Sequence, residues 1–466
     1  MIEHSGVFDA RERVLVIGLG RSGIASCAVL RARGATVFAT DEKSSQALAG
    51  TLPELERSGV RFVGPEALDG VVATLTSCVL SPGVPLTSPL VRIVQNARIP
   101  VYSEIEVAYR ISRAPLVAVT GTKGKTTTTA LIGAMFERAG KTTHVGGNIG
   151  NALIHETFVA KPEDWVIAEV SSFQLESIRS FKPKIATILN LSPDHLDRYH
   201  SMEEYAEAKF RIFANQGAGD TFVGNLDDPI SAALADGDVA KRIPARALWF
   251  AAAPRRAAAL YVREEHITYA PWSGDPRPVD IMPVAEIPLL GRHNVQNVLA
   301  ALLVGLAAEL DPQALRAAVR EFVPLPHRLQ RVAERDGVLF IDDSKSTNPG
   351  SVVAALGSFT RPIVLIAGGK SKRTDFRAMG EAIATRTKAV VLIGEAADEL
   401  SEVVDPARSA RANSMDEAVA IACGLAAVGD VVLLSPGCAS FDMFASAEAR
   451  GDAFARAARG LEVVHG

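Results

Sequence analysis

Residues 121–129 read GTKGKTTTT, a run of glycine, lysine and hydroxyl side chains of the kind that holds phosphate. The usual phosphate loop is G-x-x-x-x-G-K-[ST], but the position five before Gly124 is Val119, not glycine. The flanks still supply the required context: APLVAVT reads as a buried strand and TTTALIGAMFERAG as the helix that follows. Gly121 and Gly124 then let the backbone turn tightly, so that N–H groups converge on phosphate oxygens. Lys125 would reach the terminal phosphates, and the Thr126 hydroxyl would join a magnesium shell. The bland alternative is a polar strand-to-helix turn with a solvated lysine.

A second glycine turn, GLGRSG (Gly18, Gly20, Gly23), follows the strand RVLVI, with Asp41 at the end of the next strand. That spacing matches a dinucleotide fingerprint, and the same geometry would hold any diphosphate, because a helix N-terminus is indifferent to what the phosphate carries. SPGVP, from Ser81 through Pro82 and Gly83 to Pro85, would line the same crevice or serve only as a proline-fixed turn. Glu169 in EVSSFQLE leaves a strand beside the phosphate loop and is a candidate magnesium ligand. Asp194, His195 and Asp197 share a polar turn after an apolar strand, whereas Lys209 by itself reads as a surface lysine on the helix EEYAEAKFRIF. Asn294 and Asn297 lie three apart at a helix start, placed to grip an adenine edge or to cap the helix. The proline-rich FVPLP would act as a linker carrying Arg328 to a cleft. IDDSKSTNP presents Asp343, Lys345, Thr347 and Asn348 after one strand, and SPGCASFDMF presents Ser440 and Phe441 after another.

These loops need strands to hold them. Three stretches alternate β-branched apolar runs with helical patterns, the signature of α/β layers. The first, residues 1–103, contains RVLVIG, ATVFATD, SCVLSPG and IPVYSE. The second, 104–324, runs from the phosphate-loop strand through DWVIAEVS and KIATILNLS to the helix HNVQNVLAALLVGLAAEL. Within it, 240–290 reads as short strands and loops. The third, 325–466, repeats the theme with VLFIDDS, RPIVLIAGG, TKAVVLIGE and DVVLLSPG. A chain of 466 residues with 48% hydrophobic and 22% charged residues fits an α/β protein of roughly three domains. Four scattered cysteines suggest neither a zinc site nor a disulfide framework, which fits a reducing cytoplasm. The longest apolar run, VLAALLVGLAA, covers 11 residues and is too short to span a bilayer, so no membrane insertion is expected. A net charge of −4 argues against a nucleic-acid partner.

Taken together, GLGRSG, SPG, GTKGKTT, GGNIG, EVSSFQLE, DHLDRY, AKFRIF, GRHNVQN, PHR, DDSKSTNP and SPGCASFDMF, in that order, resemble the Mur ligase family, the ATP-dependent enzymes that build the peptidoglycan stem peptide. That family, like the folylpolyglutamate synthases, uses the shortened T-G-T-x-G-K-[ST] loop. The resemblance implies an N-terminal Rossmann-like domain, a central P-loop ATPase domain with a parallel sheet, and a C-terminal Rossmann-like domain. It implies addition of D-glutamate to UDP-N-acetylmuramoyl-L-alanine through an acyl phosphate, in a monomer. The folylpolyglutamate-type alternative has no need of the GLGRSG domain. An NAD-dependent oxidoreductase would leave GTKGKTT unexplained.

Residue by residue, the resemblance assigns the UDP-substrate to Arg21, Ser22, Gly23, Asp41, Ser81, Pro82, Gly83, Asn148, Ser171 and Gln174. ATP falls to Gly121, Thr122, Lys123, Gly124, Lys125, Thr126, Thr127, Asn294, Asn297, Arg328, Asp343 and Lys345. Two magnesium sites, open to manganese, would use Thr126, Glu169, His195 and Lys209, the last as a carbamate. Glutamate would meet Thr347, Lys372, Ser440 and Phe441. Lys125, His195, Lys209 and Lys345 would be catalytic, with domain closure bringing Arg328 and Lys345 across. The chain departs from the family pattern at Ala447, where an aromatic residue is usual, and at Lys370–Ser371, where Asp-Gly is common. Both lie on the amino-acid side, and some relatives add L-glutamate instead.

Overall fold

In the computed structural model, residues 8–44, 46–194, 198–236, 239–270, 277–371 and 374–460 are described. The chain forms two compact units, Met1–Ile287 with Gln296–Phe322, and Pro288–Val295 with Val323–Gly466.

The first unit holds two sheets. β1 (Arg13–Ile17), β2 (Thr36–Thr40), β3 (Arg61–Phe62), β4 (Ser77–Leu80) and β5 (Val101–Ser103) pair in parallel in the order β3-β2-β1-β4-β5. The chain reverses direction across the sheet between β1 and β4, so the loops leaving these two strands part and open a crevice. β1, β2 and β4 are almost wholly buried, as continuous apolar runs covered on both faces should be.

The second sheet comprises β6 (Leu116–Thr120), β7 (Thr143–Gly147), β8 (Trp165–Glu169), β9 (Ile185–Ile188), β10 (Thr221–Asn225), β11 (Arg246–Ala251), β12 (Leu260–Arg263), β13 (His266–Tyr269) and β14 (Val279–Pro283), in the order β14-β13-β12-β11-β10-β9-β6-β8-β7. Pairing is parallel from β7 to β12 and antiparallel at β13 and β14. The short strands expected in 240–290 are these edge strands. β6 lies between β8 and β9, so the turn after it emerges inside the sheet, flanked by strands on both sides.

The second unit is built on β15 (Gln330–Arg335), β16 (Val338–Asp342), β17 (Ile363–Gly368), β18 (Thr387–Ile393), β19 (Ser409–Ala412) and β20 (Val431–Gly437), ordered β15-β16-β20-β17-β18-β19. Only β15 is antiparallel to its neighbour. Because β16, β20 and β17 are adjacent and parallel, the loops that leave them emerge side by side. Among the described residues no helix is long and apolar enough to cross a membrane.

Candidate functional site

The turn after β6 opens the helix Lys125–Arg138. Gly124 adopts φ 82°, a left-handed conformation that a side chain disfavours, and a Cβ there would meet Asn297 Oδ1 at 2.2 Å. Glycine thus allows both the turn and the approach of the Asn297 amide. Across the turn, Asn190 clamps Lys123: its Oδ1 accepts from the Lys123 N–H at 2.9 Å and its Nδ2 donates to the Lys123 carbonyl at 3.0 Å. The Thr122 N–H donates to the Asn190 carbonyl at 2.8 Å, and the Thr122 hydroxyl accepts from the Ser192 N–H at 3.0 Å. Asn190 stands unremarked within KIATILNLS; its signal was a polar residue ending an apolar strand.

Two ammonium groups meet on this turn. Lys125 Nζ donates to the carbonyls of Gly121 and Thr122 at 2.9 and 2.8 Å, and Lys209 Nζ donates to the same Gly121 carbonyl at 3.0 Å. Lys209 is 2% exposed, which corrects its reading as a surface lysine. It lies on the inner face of the helix Met202–Phe210, one turn after buried Tyr205, and its stem carries the nitrogen into the interior. Burial, then the nearby Lys125, draws its pKa down to about 7 against the partial opposition of Asp194 and Glu169. Near neutral pH a substantial fraction of Lys209 is therefore an uncharged amine. Thr126 and Thr127 are half-buried in the first turn of the helix.

Glu169 ends β8. Its Oε1 accepts from Asn148 Nδ2 at 2.7 Å, while its buried Oε2 has no hydrogen-bond partner. An orphaned carboxylate oxygen beside a phosphate-binding turn fits a divalent cation. No cluster of three or more His, Cys, Asp or Glu suited to a metal occurs among the described residues. His195, Asp197 and Lys372 lie outside the described residues.

Asn148 also borders the crevice between β1 and β4. There a cavity of about 590 Å³ is lined by Arg21, Ser22, Asp41, Ser81, Pro82, Gly83, Asn148 and Gln174, among others. Asp41 accepts from the Leu19 N–H at 2.6 Å and the Lys43 N–H at 2.9 Å, while Ser81 Oγ donates to the Gly18 carbonyl at 2.6 Å. Gly23 makes room: a Cβ there would lie 1.8 Å from the Gly18 carbonyl oxygen. Ser171 and Gln174 form a capping box, Ser171 N–H to Gln174 Oε1 at 2.9 Å and Gln174 N–H to Ser171 Oγ at 3.3 Å. The structure thus gathers the residues assigned to the sugar nucleotide, and Asn148 ties them to Glu169.

In the second unit, Asn294 Nδ2 donates to the Leu290 carbonyl at 2.6 Å, tying the helix start to the segment before it. Asp343 is buried and engaged by Ser346 Oγ at 2.5 Å, Ser435 Oγ at 2.9 Å and the Leu329 N–H at 3.2 Å. Burial raises its pKa to about 6, with exposed Arg328 among the groups opposing the rise. Lys345 pairs with Glu448, whose pKa falls to about 2 mainly through that hydrogen bond. Thr347 is half-buried, Ser440 is buried and Phe441 is 70% exposed. Asn348 caps the helix Pro349–Leu356 by accepting from the Ser351 N–H at 2.9 Å. Sequence reasoning missed His327, whose Nδ1 lies 2.7 Å from Asp342 Oδ2 and which anchors the turn presenting Arg328. It also missed Arg450.

Comparison with known proteins agrees with this layout. Residues 12–103 match the Mur ligase MurD-like N-terminal domain, 119–305 the Mur ligase middle domain, and 327–438 the Mur ligase glutamate ligase domain. The UDP-N-acetylmuramoylalanine–D-glutamate ligase of Pelotomaculum thermopropionicum is 44% identical over 460 residues, covering 95% of this chain and 96% of that protein. The enzyme of the same name from Koribacter versatilis is 41% identical over 443 residues, with 95% and 96% covered. In fold, the chain is similar to the UDP-N-acetylmuramate-alanine ligase of Thermotoga maritima, with a TM-score of 0.56 at 18% identity, covering 92% of this chain and 96% of that one. The MurF ligase of the same organism, solved with ADP, gives a TM-score of 0.58 at 16% identity, with 91% and 94% covered. With full-length relatives above 40% identity and a match in each of its three α/β layers, the chain belongs to the Mur ligase family.

Proposed function

We propose that this chain is the ATP-dependent ligase that joins D-glutamate to UDP-N-acetylmuramoyl-L-alanine in peptidoglycan precursor synthesis. The observation that carries the reading is the turn Gly121–Thr126, where Lys125 and Lys209 converge beside a carboxylate with an unpartnered oxygen. That arrangement suits phosphoryl transfer between two anions, whose repulsion must be offset by fixed charge. The alanine carboxylate oxygen attacks the γ-phosphorus of ATP, and ADP leaves. The glutamate amine then attacks the acyl carbon, phosphate leaves, and the amine proton passes to a base.

Residues 1–103, 104–324 and 325–466 are proposed to serve sugar nucleotide, ATP and glutamate respectively. In the first, Arg21, Ser22 and the Ser81–Gly83 turn hold the UDP portion in the cavity, while Asn148 of the second reaches toward the reacting end. In the second, the N–H groups of residues 121–127 and the Lys125 ammonium hold ATP phosphates, with Asn297 beside the turn. Arg328, Asp343 and Lys345 are assigned to ATP, and Thr347, Lys372, Ser440 and Phe441 to glutamate. Magnesium, at two sites and replaceable by manganese, would neutralise charge on the transferred phosphoryl group when bound. Thr126, Glu169, His195 and Lys209 are its proposed ligands. Lys209 is suited to carbamate formation: its uncharged amine attacks carbon dioxide, one proton is released, and a neutral amine becomes an anionic oxygen ligand. The enzyme is proposed to act as a cytoplasmic monomer.

The test is product formation followed by mass spectrometry, with UDP-N-acetylmuramoyl-L-alanine, ATP and magnesium, offering D-glutamate or L-glutamate separately. Product with D-glutamate alone is expected. Product with L-glutamate alone would reassign the amino acid, and no product with either would overturn the reading.

A further inference from the structure

Among the described residues Arg450 is the bulkiest side chain fully enclosed in the fold, at 1% exposure, and the proposed reaction gives it no part. It projects from the helix Ala447–Gly460. Its Nε donates to Ser344 Oγ and its Nη2 to the Ser344 carbonyl, both at 2.9 Å. Its Nη1 donates to the carbonyls of Cys438 and Ala439 at 3.1 and 3.2 Å. Ser344 Oγ passes the connection on, donating to the Ala447 carbonyl at 2.7 Å. A third loop closes on the same group. The Lys370 N–H donates to the Ala439 carbonyl at 2.8 Å, and a Cβ on Gly369 would come within 3.0 Å of Arg450 Nη1. The loops leaving β16, β20 and β17 therefore gather around one guanidinium.

No carboxylate pairs with Arg450 among the described residues; its partners are three carbonyls and one hydroxyl. Burial draws its pKa down to about 10 against the partial opposition of Cys438, Asp442 and Asp342, which leaves it a cation at neutral pH. A buried cation held by neutral acceptors, with carboxylates near it but none hydrogen-bonded to it among the described residues, is a poor device for stability alone, since well-packed apolar groups of similar volume do as well or better. What it supplies is geometry. A planar fork of five N–H donors addresses separate loops at once, which the single point of a lysine does not. The loops so held carry Lys345 and Thr347 just past Ser344, and Ser440 just past Ala439.

We propose that Arg450 is the positioning residue of the amino-acid site, its guanidinium setting the Ser344 and Cys438–Ala439 loops so that Thr347 and Ser440 present to one dicarboxylate substrate. The inference rests on the D-glutamate ligase reading. It treats Arg450 as acting through those loops, without touching substrate.

The test is steady-state kinetics of the full chain carrying Arg450→Lys, Arg450→Met or Ser344→Ala, varying each of the three substrates in turn. Arg450→Lys is expected to raise the KM for D-glutamate about tenfold or more, while the KM for ATP and for the nucleotide precursor stays within about twofold. Ser344→Ala should produce a smaller rise in the same KM alone. A structural staple would behave differently: the active fraction, and so kcat, would fall with every KM unchanged, and that result overturns the proposal. If Arg450→Met does not fold, Arg450→Lys and Ser344→Ala still decide. Wild-type protein that makes no product with D-glutamate would sink the parent reading. Wild-type product with a normal glutamate KM in both remaining variants would sink this inference only.

Discussion

At the ends of β1 and β6 the chain makes the same move, from a buried strand through a glycine turn into the helices Arg21–Ala32 and Lys125–Arg138. Their surroundings differ. The first turn is held by Asp41, which accepts from the Leu19 N–H, and by Ser81, which donates to the Gly18 carbonyl, and it faces a roomy cavity. The second is crowded by two lysine side-chain nitrogens on one carbonyl, with the orphaned oxygen of Glu169 in the same sheet. Backbone N–H groups at a helix start attract phosphate in either setting. On the proposed reading, the side chains around them separate a turn that only holds a diphosphate from one equipped to transfer a phosphoryl group.

That contrast can be broken from the second turn first. Lys125→Ala should lower ATP-dependent phosphate release on the order of a thousandfold, while calorimetric binding of the UDP precursor to the first turn persists. Near-normal turnover would mean that the two turns are not functionally distinct. Lys209→Ala is expected to cost about a hundredfold, with activity partly restored by added short carboxylates that replace the carbamate oxygen. Lack of any rescue would leave Lys209 as a buried amine and nothing more. Asn190→Ala frees Lys123 from its clamp and should reduce kcat/KM for ATP by about ten- to a hundredfold, with KM for the UDP precursor unchanged. An equal loss for both substrates would place Asn190 in the shared frame and not in the second turn.

The smallest effect concerns the frame between the turns. Glu104 is buried at the start of the helix Glu104–Ile111, with Oε1 accepting from the Ile154 N–H at 2.7 Å and Oε2 unpartnered. Burial raises its pKa from 4.5 to about 7. Between those values the folded protein holds the Glu104 proton more tightly than the unfolded chain, so stability is greatest below 4.5 and falls as pH rises through the window. Glu104→Gln removes that loss. Denaturant unfolding should show the variant gaining on wild type between about pH 5 and about pH 8, by on the order of 1–3 kcal/mol, with turnover little changed. A pH-independent difference would place the Glu104 carboxyl elsewhere on the titration scale.

Much of the fold was legible because its signals are local. An apolar run such as LVAVT can only be a buried strand in an α/β context, and a glycine turn followed by a helical pattern names its own geometry. The candidate site was legible in the same way wherever a residue closes a strand, as Glu169 closes β8 and Asp343 follows β16. Lys209 was not, because one lysine on a helix carries no mark of which face turns inward. Asn190, His327 and Arg450 were missed for a related reason. Their importance lies in partners distant along the chain, Asn190 reaching Lys123 across 67 residues and Arg450 reaching Ser344 across 106.

The amino-acid sequence by itself determined the three α/β layers, the two glycine turns and the order of motifs that identifies the family. Each depends on hydrophobic period or short-range spacing, which a linear chain displays directly. Tertiary structure alone decided that Lys209 is buried and partly uncharged, that Asp343 is engaged within its own fold, and that one arginine gathers three loops. Desolvation and the convergence of strand ends arise only when distant segments are packed together, so no local pattern records them.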